Sequence, residues 1–264
     1  MAEREILEAV MKTRVISGVI IAIATILTVY FQGFFFNAVI TLMALQSCRE
    51  TIMIRHSDNF SYPLCALMFI AVFGIIFIPS LQHIILILFA VILAGLAVFD
   101  EKVSFDDVSL MFFMTFFVGY GLHYFVTFEN IDKYFFGLVL IITHLTDTFA
   151  YFTGMLFGKH KLNERISPKK TIEGAVGGWL LGGLCGLIWC VIFNFFGMGL
   201  ICAVACVILP IVSQIGDLIF SMIKRHYGIK DFSNLIPGHG GILDRYDSII
   251  TTALVLGAIF IILT

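Results

Sequence analysis

An all-α polytopic membrane fold is predicted by three features of this sequence. Its apolar residues come in blocks long enough to span a bilayer, those blocks are apolar on every face, and the charges gather in the gaps between them. Of 264 residues, 60% are hydrophobic and 13% charged, and the mean hydropathy is +1.03. Soluble domains carry about 45–50% apolar and about 25% charged residues, so this chain has too little charge to cover a water-facing surface. A helical span takes about 20 apolar residues, and the chain has room for many. Within lipid every backbone polar group must be paired internally, which leaves helices or a closed barrel. Runs such as Ile16–Phe31 and Leu81–Phe99 lack the alternation of barrel strands, so they read as helices.

A window of about 19 residues predicts nine spans. They lie near 15–31, 34–54, 61–79, 81–99, 108–128, 134–157, 173–196, 199–222 and 248–263. Met1–Lys12 is mixed in charge, and no small-residue cleavage site follows the first apolar block, so no cleavable signal peptide is expected. Nine spans place the N-terminus and the loops after the even-numbered spans on one side. Arg4, Lys12, Arg14, Arg49, Arg55, Lys102, Lys159, Lys161, Arg165, Lys169, Lys170, Lys224, Arg225, Lys230 and Arg245 all fall there, and Lys133 falls opposite. The positive-inside rule then puts that side in the cytoplasm, and a miscounted span would scatter these charges. The chain divides into N-terminal helices over 1–132, about five spans, and a C-terminal catalytic region over 133–264. That second region carries cytoplasmic loops at 158–173 and 224–247.

The net charge of −2 says nothing about partners. Cys48, Cys65, Cys185, Cys190, Cys202 and Cys206 lie in or beside apolar spans without a C-x-x-C pair, and they read as packing residues.

The residues costly to bury carry the chemistry. A carboxylate within a span costs about 2.5–3.5 kcal/mol on insertion scales. Asp147 sits deep in the sixth span and Asp217 inside the eighth. His144 shares a helix face with Asp147, and the two are either part of a site or a polar bracket bonded to Thr143, Thr146 or Thr148. Asp231, Asp244 and Asp247 follow Asp217. If a helix begins near Leu243, Asp244 and Asp247 project to one side. Carboxylates gathered this way need a cation, and hard oxygen donors favour Mg²⁺, which leaves positions for substrate phosphates. The competing reading makes Asp244 and Asp247 favourable charges at a helix N-terminus.

The cations are Lys169 and Lys170, after Ser167-Pro168, and Lys224, Arg225 and Lys230. Thr171 is a candidate N-cap for the seventh span, and a helix N-terminus flanked by lysines suits an anion. The glycines of Pro237-Gly238-His239-Gly240-Gly241 let backbone N–H groups approach a ligand closely. His239 either contacts a phosphate or orders the loop. Gly174, Gly178, Gly182 and Gly186 form a smooth stripe for close helix packing, within one chain or between two. Glu50 is either an ion pair with Arg49 or a group that supports the site.

Taken together these residues resemble the phosphatidate cytidylyltransferase family. Its signature matches Ser221-x-Ile223-Lys224-Arg225, then Lys230-Asp231-x-Ser233. It continues through Ile236-Pro237-x-His239-Gly240-Gly241-Ile242-x-Asp244-Arg245-x-Asp247. Asp147-Thr148-x-Ala150-Tyr151 with Gly154 and Phe157-Gly158-Lys159 is a second match, and Ser167-Pro168-Lys169-Lys170-Thr171-x-Glu173-Gly174 a third. Tyr246 stands where an aliphatic residue or Phe is more usual, and Met155 where Arg is expected. The motifs cover about residues 144–247, and the first half is similar only in hydropathy.

The resemblance implies a dimeric membrane enzyme of the bacterial cell membrane, with a polar cavity open to the cytoplasm. It implies CTP and phosphatidic acid as substrates, with no nucleic-acid partner. Asp217, Asp244 and Asp247 are the expected Mg²⁺ ligands, with a second ion left open. Lys224 and Arg225 join them as catalytic residues. Ser167, Lys169, Lys170, Lys230, Asp231, His239, Gly240, Gly241, Arg245 and Asp147 are the expected substrate contacts. A transporter is the competing class, but there is no internal repeat and the polar residues gather on one side.

Overall fold

The computed structural model describes residues 2–56 and 61–264, with the backbone alone described for 2–15, 22, 133 and 196. Nine α-helices occur among the described residues. They are α1 (Ala2–Phe31), α2 (Gly33–Met53), α3 (Tyr62–Phe77), α4 (Gln82–Phe99), α5 (Phe105–Ile131), α6 (Lys133–Phe157), α7 (Ile172–Ile192), α8 (Gly199–His226) and α9 (Leu243–Leu263). Each expected span coincides with one of them. Six segments are long and apolar enough to cross a membrane: Pro79–Phe99, Phe105–Ile131, Tyr134–Phe157, Ile172–Ile192, Gly199–His226 and Leu243–Leu263. Ile16–Phe31 and Tyr62–Phe77 are apolar but shorter. Outward-facing residues such as Ile84, Ile87, Leu88 and Val91 are exposed, as an integral membrane protein requires of its lipid-facing surface. The charged side chains of Arg4, Lys12, Arg14 and Lys133 lie outside the described side chains.

Local chemistry sets the helix ends. Gln32 and Gly33 take positive φ angles of 45° and 53°, which breaks α1 from α2. Pro79 cannot continue α3, and a short 3₁₀ turn over Pro79–Leu81 leads into α4. Ser104 and Asp107 form a reciprocal capping box at α5: Asp107 Oδ2 accepts from Ser104 N at 2.8 Å, and Ser104 Oγ accepts from Asp107 N at 3.2 Å. Asp132 caps α6 and Thr171 caps α7, as expected for Thr171. The charged ends are helical too. The eighth helix runs on through Lys224-Arg225-His226, and α9 begins at Leu243, ahead of the apolar window.

The 158–173 loop corrects an otherwise all-helical expectation. It folds into an antiparallel pair, β1 (Lys161–Asn163) and β2 (Ser167–Thr171), with Lys161 opposite Thr171. Glu173 ties the hairpin to the head of α7. Its Oε2 accepts from Lys159 N at 3.1 Å and His160 N at 3.2 Å, and its Oε1 meets His160 Nδ1 at 2.6 Å.

The chain packs as two compact units. The first comprises 1–119 and 229–246, and the second 120–228 and 247–264, so α5 and α9 contribute to both. The first unit has a core of Ile40, Ala44 and Cys48 from α2, Met68, Val72 and Ile75 from α3, and Met111 and Met114 from α5. Arg55 pairs with exposed Asp106 at 3.1 Å and with buried Asp107 at 2.8 Å. The second unit buries Leu138, Ile142, Ala205, Leu209, Phe220, Ala253 and Leu256.

The glycine stripe of α7 packs within the chain, against α6. A Cβ at Gly174 would lie 2.6 Å from Ala150 O, and one at Gly178 would lie 2.7 Å from Thr146 O and 2.8 Å from Ala150 Cβ. At Gly182 it would strike Thr146. Only a missing side chain permits this approach. Gly216 of α8 does the same for α9, since a Cβ there would come within 2.8 Å of Thr251. Inside α8 stands Pro210, where one helical N–H is absent. One turn later Gln214 Nε2 donates to Pro210 O and to Ala175 O of α7, each at 3.1 Å. The cysteines are free among the described residues and, apart from half-buried Cys185, buried.

Gly178→Leu is expected to wedge α6 from α7. Overpacking costs about 1–3 kcal/mol, so the thermal midpoint in detergent should fall by several degrees, while Gly197→Ala, with nothing near its would-be Cβ, should leave it unchanged.

Candidate active site

The second unit holds a cavity of about 350 Å³. Asp147 of α6, Lys169 and Lys170 of β2, and Gln214 and Asp217 of α8 supply its polar wall. Tyr151, Met155 and Leu162 supply an apolar flank, and Thr171, Gly174 and Ala175 close the α7 side. The sequence explains how they converge. The Gly154–Gly174 approach draws the last turns of α6 against the head of α7, with a Gly154 Cβ only 2.8 Å from Thr171 Oγ1. The hairpin delivers the paired lysines directly before that head.

The charges interlock. Lys170 Nζ lies 2.5 Å from Asp217 Oδ2, an ion pair whose angle of approach makes no directed hydrogen bond. Asp147 feels Lys170 as attraction and Asp217 as repulsion. Buried Asp247 is repelled by Asp217 and Asp147 and attracted by buried Lys224. Gly216 explains the coupling of α8 to α9, because its missing side chain lets the Ser248 backbone approach beside Asp217, with a would-be Cβ 3.3 Å from Ser248 Cα. Asp247 also accepts from Ser248 N at 2.7 Å. Three carboxylates, Asp147, Asp217 and Asp247, therefore share two lysines, Lys170 and Lys224. Among the described residues, no group of three or more His, Cys, Asp or Glu side chains stands at ligating geometry.

The bracket reading of His144 and Asp147 does not hold. Thr148 Oγ1 donates to the His144 carbonyl, Thr143 and Thr146 hydroxyls make no hydrogen bond, and Asp147 lines the cavity while His144 does not. Ser167 is half-buried at the start of β2, outside the cavity lining, and Arg225 is exposed at the end of α8.

The first unit carries the other motif residues, in the 229–246 loop. Asp244 is buried, and its Oδ2 accepts from Phe232 N at 2.8 Å and from Gly241 N at 2.9 Å. Gly240 takes φ +83° with a would-be Cβ 2.8 Å from that same oxygen. The tip turns tightly, with Ile236 and Gly240 bonded backbone to backbone in both directions. His239 orders the loop: its Nδ1 lies 2.8 Å from Ser17 Oγ, which also donates to Pro237 O at 3.0 Å. Lys230, Asp231 and Arg245 are exposed.

Of the two readings of Glu50, its hydrogen bonds follow the supporting group and not the ion pair with Arg49. Glu50 is fully buried, and its Oε1 accepts from Ser233 Oγ at 2.8 Å, Ile242 N at 2.9 Å and Gln46 Nε2 at 3.0 Å. Its Oε2 accepts from Leu243 N at 2.9 Å. Gln214 is a further cavity residue that sequence reasoning passed over, since a polar residue in an apolar helix has no motif of its own.

Asp244→Ala would leave two buried N–H groups without an acceptor, at about 1–3 kcal/mol each, whereas the carbonyl of Asp244→Asn still accepts. Limited trypsin digestion at Lys230 should accelerate severalfold in the alanine variant and stay near the wild-type rate in the asparagine variant.

The sequence pattern of the cytidylyltransferase family matches residues 12–263. A protein named phosphatidate cytidylyltransferase from Bacillus subtilis (strain 168) is 31% identical over 254 residues, 90% of this chain and 93% of its own length. One of the same name from Staphylococcus haemolyticus (strain JCSC1435) is 39% identical over 177 residues, 65% of this chain and 66% of its own length. A third, from Staphylococcus saprophyticus, is 37% identical over 172 residues, with 65% and 66% covered. With a match that covers residues 12–263, the chain belongs to the cytidylyltransferase family.

Proposed function

We propose that this chain joins CTP and phosphatidate into CDP-diacylglycerol and releases diphosphate. The observation that carries the reading is the cavity where Lys169 and Lys170 meet Asp147 and Asp217. A membrane protein that places paired lysines beside carboxylates of its long apolar helices suits a reaction between anions, one of them lipid-borne. The name its relatives share supplies the substrates.

A phosphate oxygen of phosphatidate attacks the α-phosphorus of CTP. The new P–O bond forms as the bond from that phosphorus to the oxygen bridging to the β-phosphate breaks, and diphosphate leaves with the electron pair. The nucleophile is already anionic, so no strong general base is needed. The barrier lies in bringing anions together and in stabilising the leaving group, and positioning and electrostatics lower it. Lys169, Lys170, Lys224 and Arg225 neutralise the phosphates of the two substrates. Asp217 and Asp247 would hold Mg²⁺, with Asp244 one turn earlier on α9 completing the motif's carboxylates. Bound there, Mg²⁺ would supply positive charge to the triphosphate. Lys230, Asp231, Gly240, Gly241 and Arg245, with Ser167 on the hairpin, are the remaining substrate contacts, and His239 serves by shaping the loop. Tyr151 and Met155 give the cavity an exposed apolar flank against which an acyl chain can lie.

The same reading sets the protein in a bacterial cell membrane as nine spans. Its N-terminus and the 158–173 and 224–247 loops then lie in the cytoplasm, where CTP is made available, and the enzyme works as a dimer. The lopsided distribution of Lys and Arg supports the orientation.

Purified protein with phosphatidate, Mg²⁺ and α-labelled CTP should move label into the organic phase. Asp217→Asn should lower the rate by about 100-fold or more, as removal of one charge-stabilising group does in other enzymes. Chelation should stop the reaction and added Mg²⁺ restore it. Label that appears without phosphatidate, or equally with the chelator present, would overturn the substrate or the metal assignment respectively.

A further inference from the structure

We propose that Glu50, a buried residue far from the signature in sequence, is a positioning residue for the transfer reaction through its hold on the 229–246 loop. The inference rests on the reaction proposed above. The loop carries Lys230, Asp231, Asp244 and Arg245, yet most of these are exposed, and of its large apolar side chains only Phe232 and Leu243 are buried. It keeps its shape because two carboxylates collect its N–H groups. Asp244 gathers Phe232 N and Gly241 N from within the loop. Glu50 gathers the next two amides, Ile242 N and Leu243 N, together with the Ser233 hydroxyl.

The chemistry of this contact is that of a helix cap supplied from another helix. Leu243 is the first residue of α9, and the amides of a helix's first turn have no intrahelical partner. A carboxylate placed there satisfies them and opposes the positive end of the helix dipole. No side chain in the loop takes this role for Ile242 and Leu243; α2 reaches in and does so. Gln46, one turn before Glu50, donates to the same carboxylate and fixes its orientation. Gly241 then becomes obligatory for a reason apart from its backbone angles. A Cβ at that position would lie 2.5 to 2.6 Å from all three atoms of the Glu50 carboxyl group.

This geometry predicts a specific pattern of coupling. Glu50→Ala should lower kcat about ten- to hundredfold, with a smaller change in the KM for CTP, because a charged acceptor of three loop donors is lost. Glu50→Gln retains one accepting oxygen but presents N–H₂ to an amide N–H, so it should fall between alanine and wild type. Gly241→Ala should resemble Glu50→Ala, since its methyl group displaces the carboxylate. In the double variant the methyl group enters the space the carboxylate leaves, so the two losses should not multiply. Hydrogen–deuterium exchange of the 229–246 amides gives a second, activity-independent readout. Exchange should quicken in Glu50→Ala while the helices of the second unit keep their protection.

Losses that multiply in the double variant, or loop exchange unchanged in Glu50→Ala, would overturn the clamp. Faster loop exchange with unaltered kcat would overturn the positioning role. A wild-type protein that transfers no label would instead overturn the reaction proposed above, and the exchange measurement would still decide whether Glu50 holds the loop.

Discussion

The second unit depends on the distance between α6 and α7. Residues 174, 178 and 182 face backbone or short side chains so closely that a methyl group cannot be admitted. In lipid the apolar surfaces of two helices gain little by meeting, so close van der Waals contact is what binds them. The same approach brings the end of α6 to the head of α7 and closes one side of the cavity. The hairpin between the two helices has no freedom to wander, because Glu173 gathers its first amides and Thr171 turns the chain into α7. Lys170 reaches Asp217 as a result of this geometry, and the ion pair follows from the packing.

Charge within this unit is arranged by alternation. Carboxylates on three different helices share lysines from the hairpin and from α8. Each charge near an apolar medium needs an opposite neighbour, and a substrate that brings phosphates into such a set exchanges partners without exposing a bare charge. The first unit handles its carboxylates differently. Glu50 and Asp244 face backbone amides, which makes them part of the scaffold of the loop.

Much of this was legible from the residues. Hydropathy located every helix, because lipid demands long apolar runs and leaves little else to build with. It erred at the polar ends: 224–226 and 243–247 are helical though charged, since a window of apolarity cannot see a helix that continues into water. The α7 glycines were readable as a packing stripe, but their partner was not, because small residues mark closeness without naming what comes close. The hairpin was invisible. Its strands, KLN and SPKKT, carry no alternation of apolar and polar residues, and side-chain bonds from Glu173 hold it. Glu50 was the hardest to read. Its partners in the loop lie 183 to 193 positions away, and two of them are backbone amides, which any sequence supplies.

Pro210 has a mechanical meaning for the helix that bears Asp217. Without the N–H of that residue, the two halves of α8 are joined by one rung fewer in their own ladder. Gln214, one turn later, adds a tie of its own, from α8 to the Pro210 carbonyl and to Ala175 O of α7. The later half of α8, with Asp217 and Lys224, is thus rigged to the helix whose head bears the paired lysines. Acid and base at the cavity are thus fastened to one support, the head of α7.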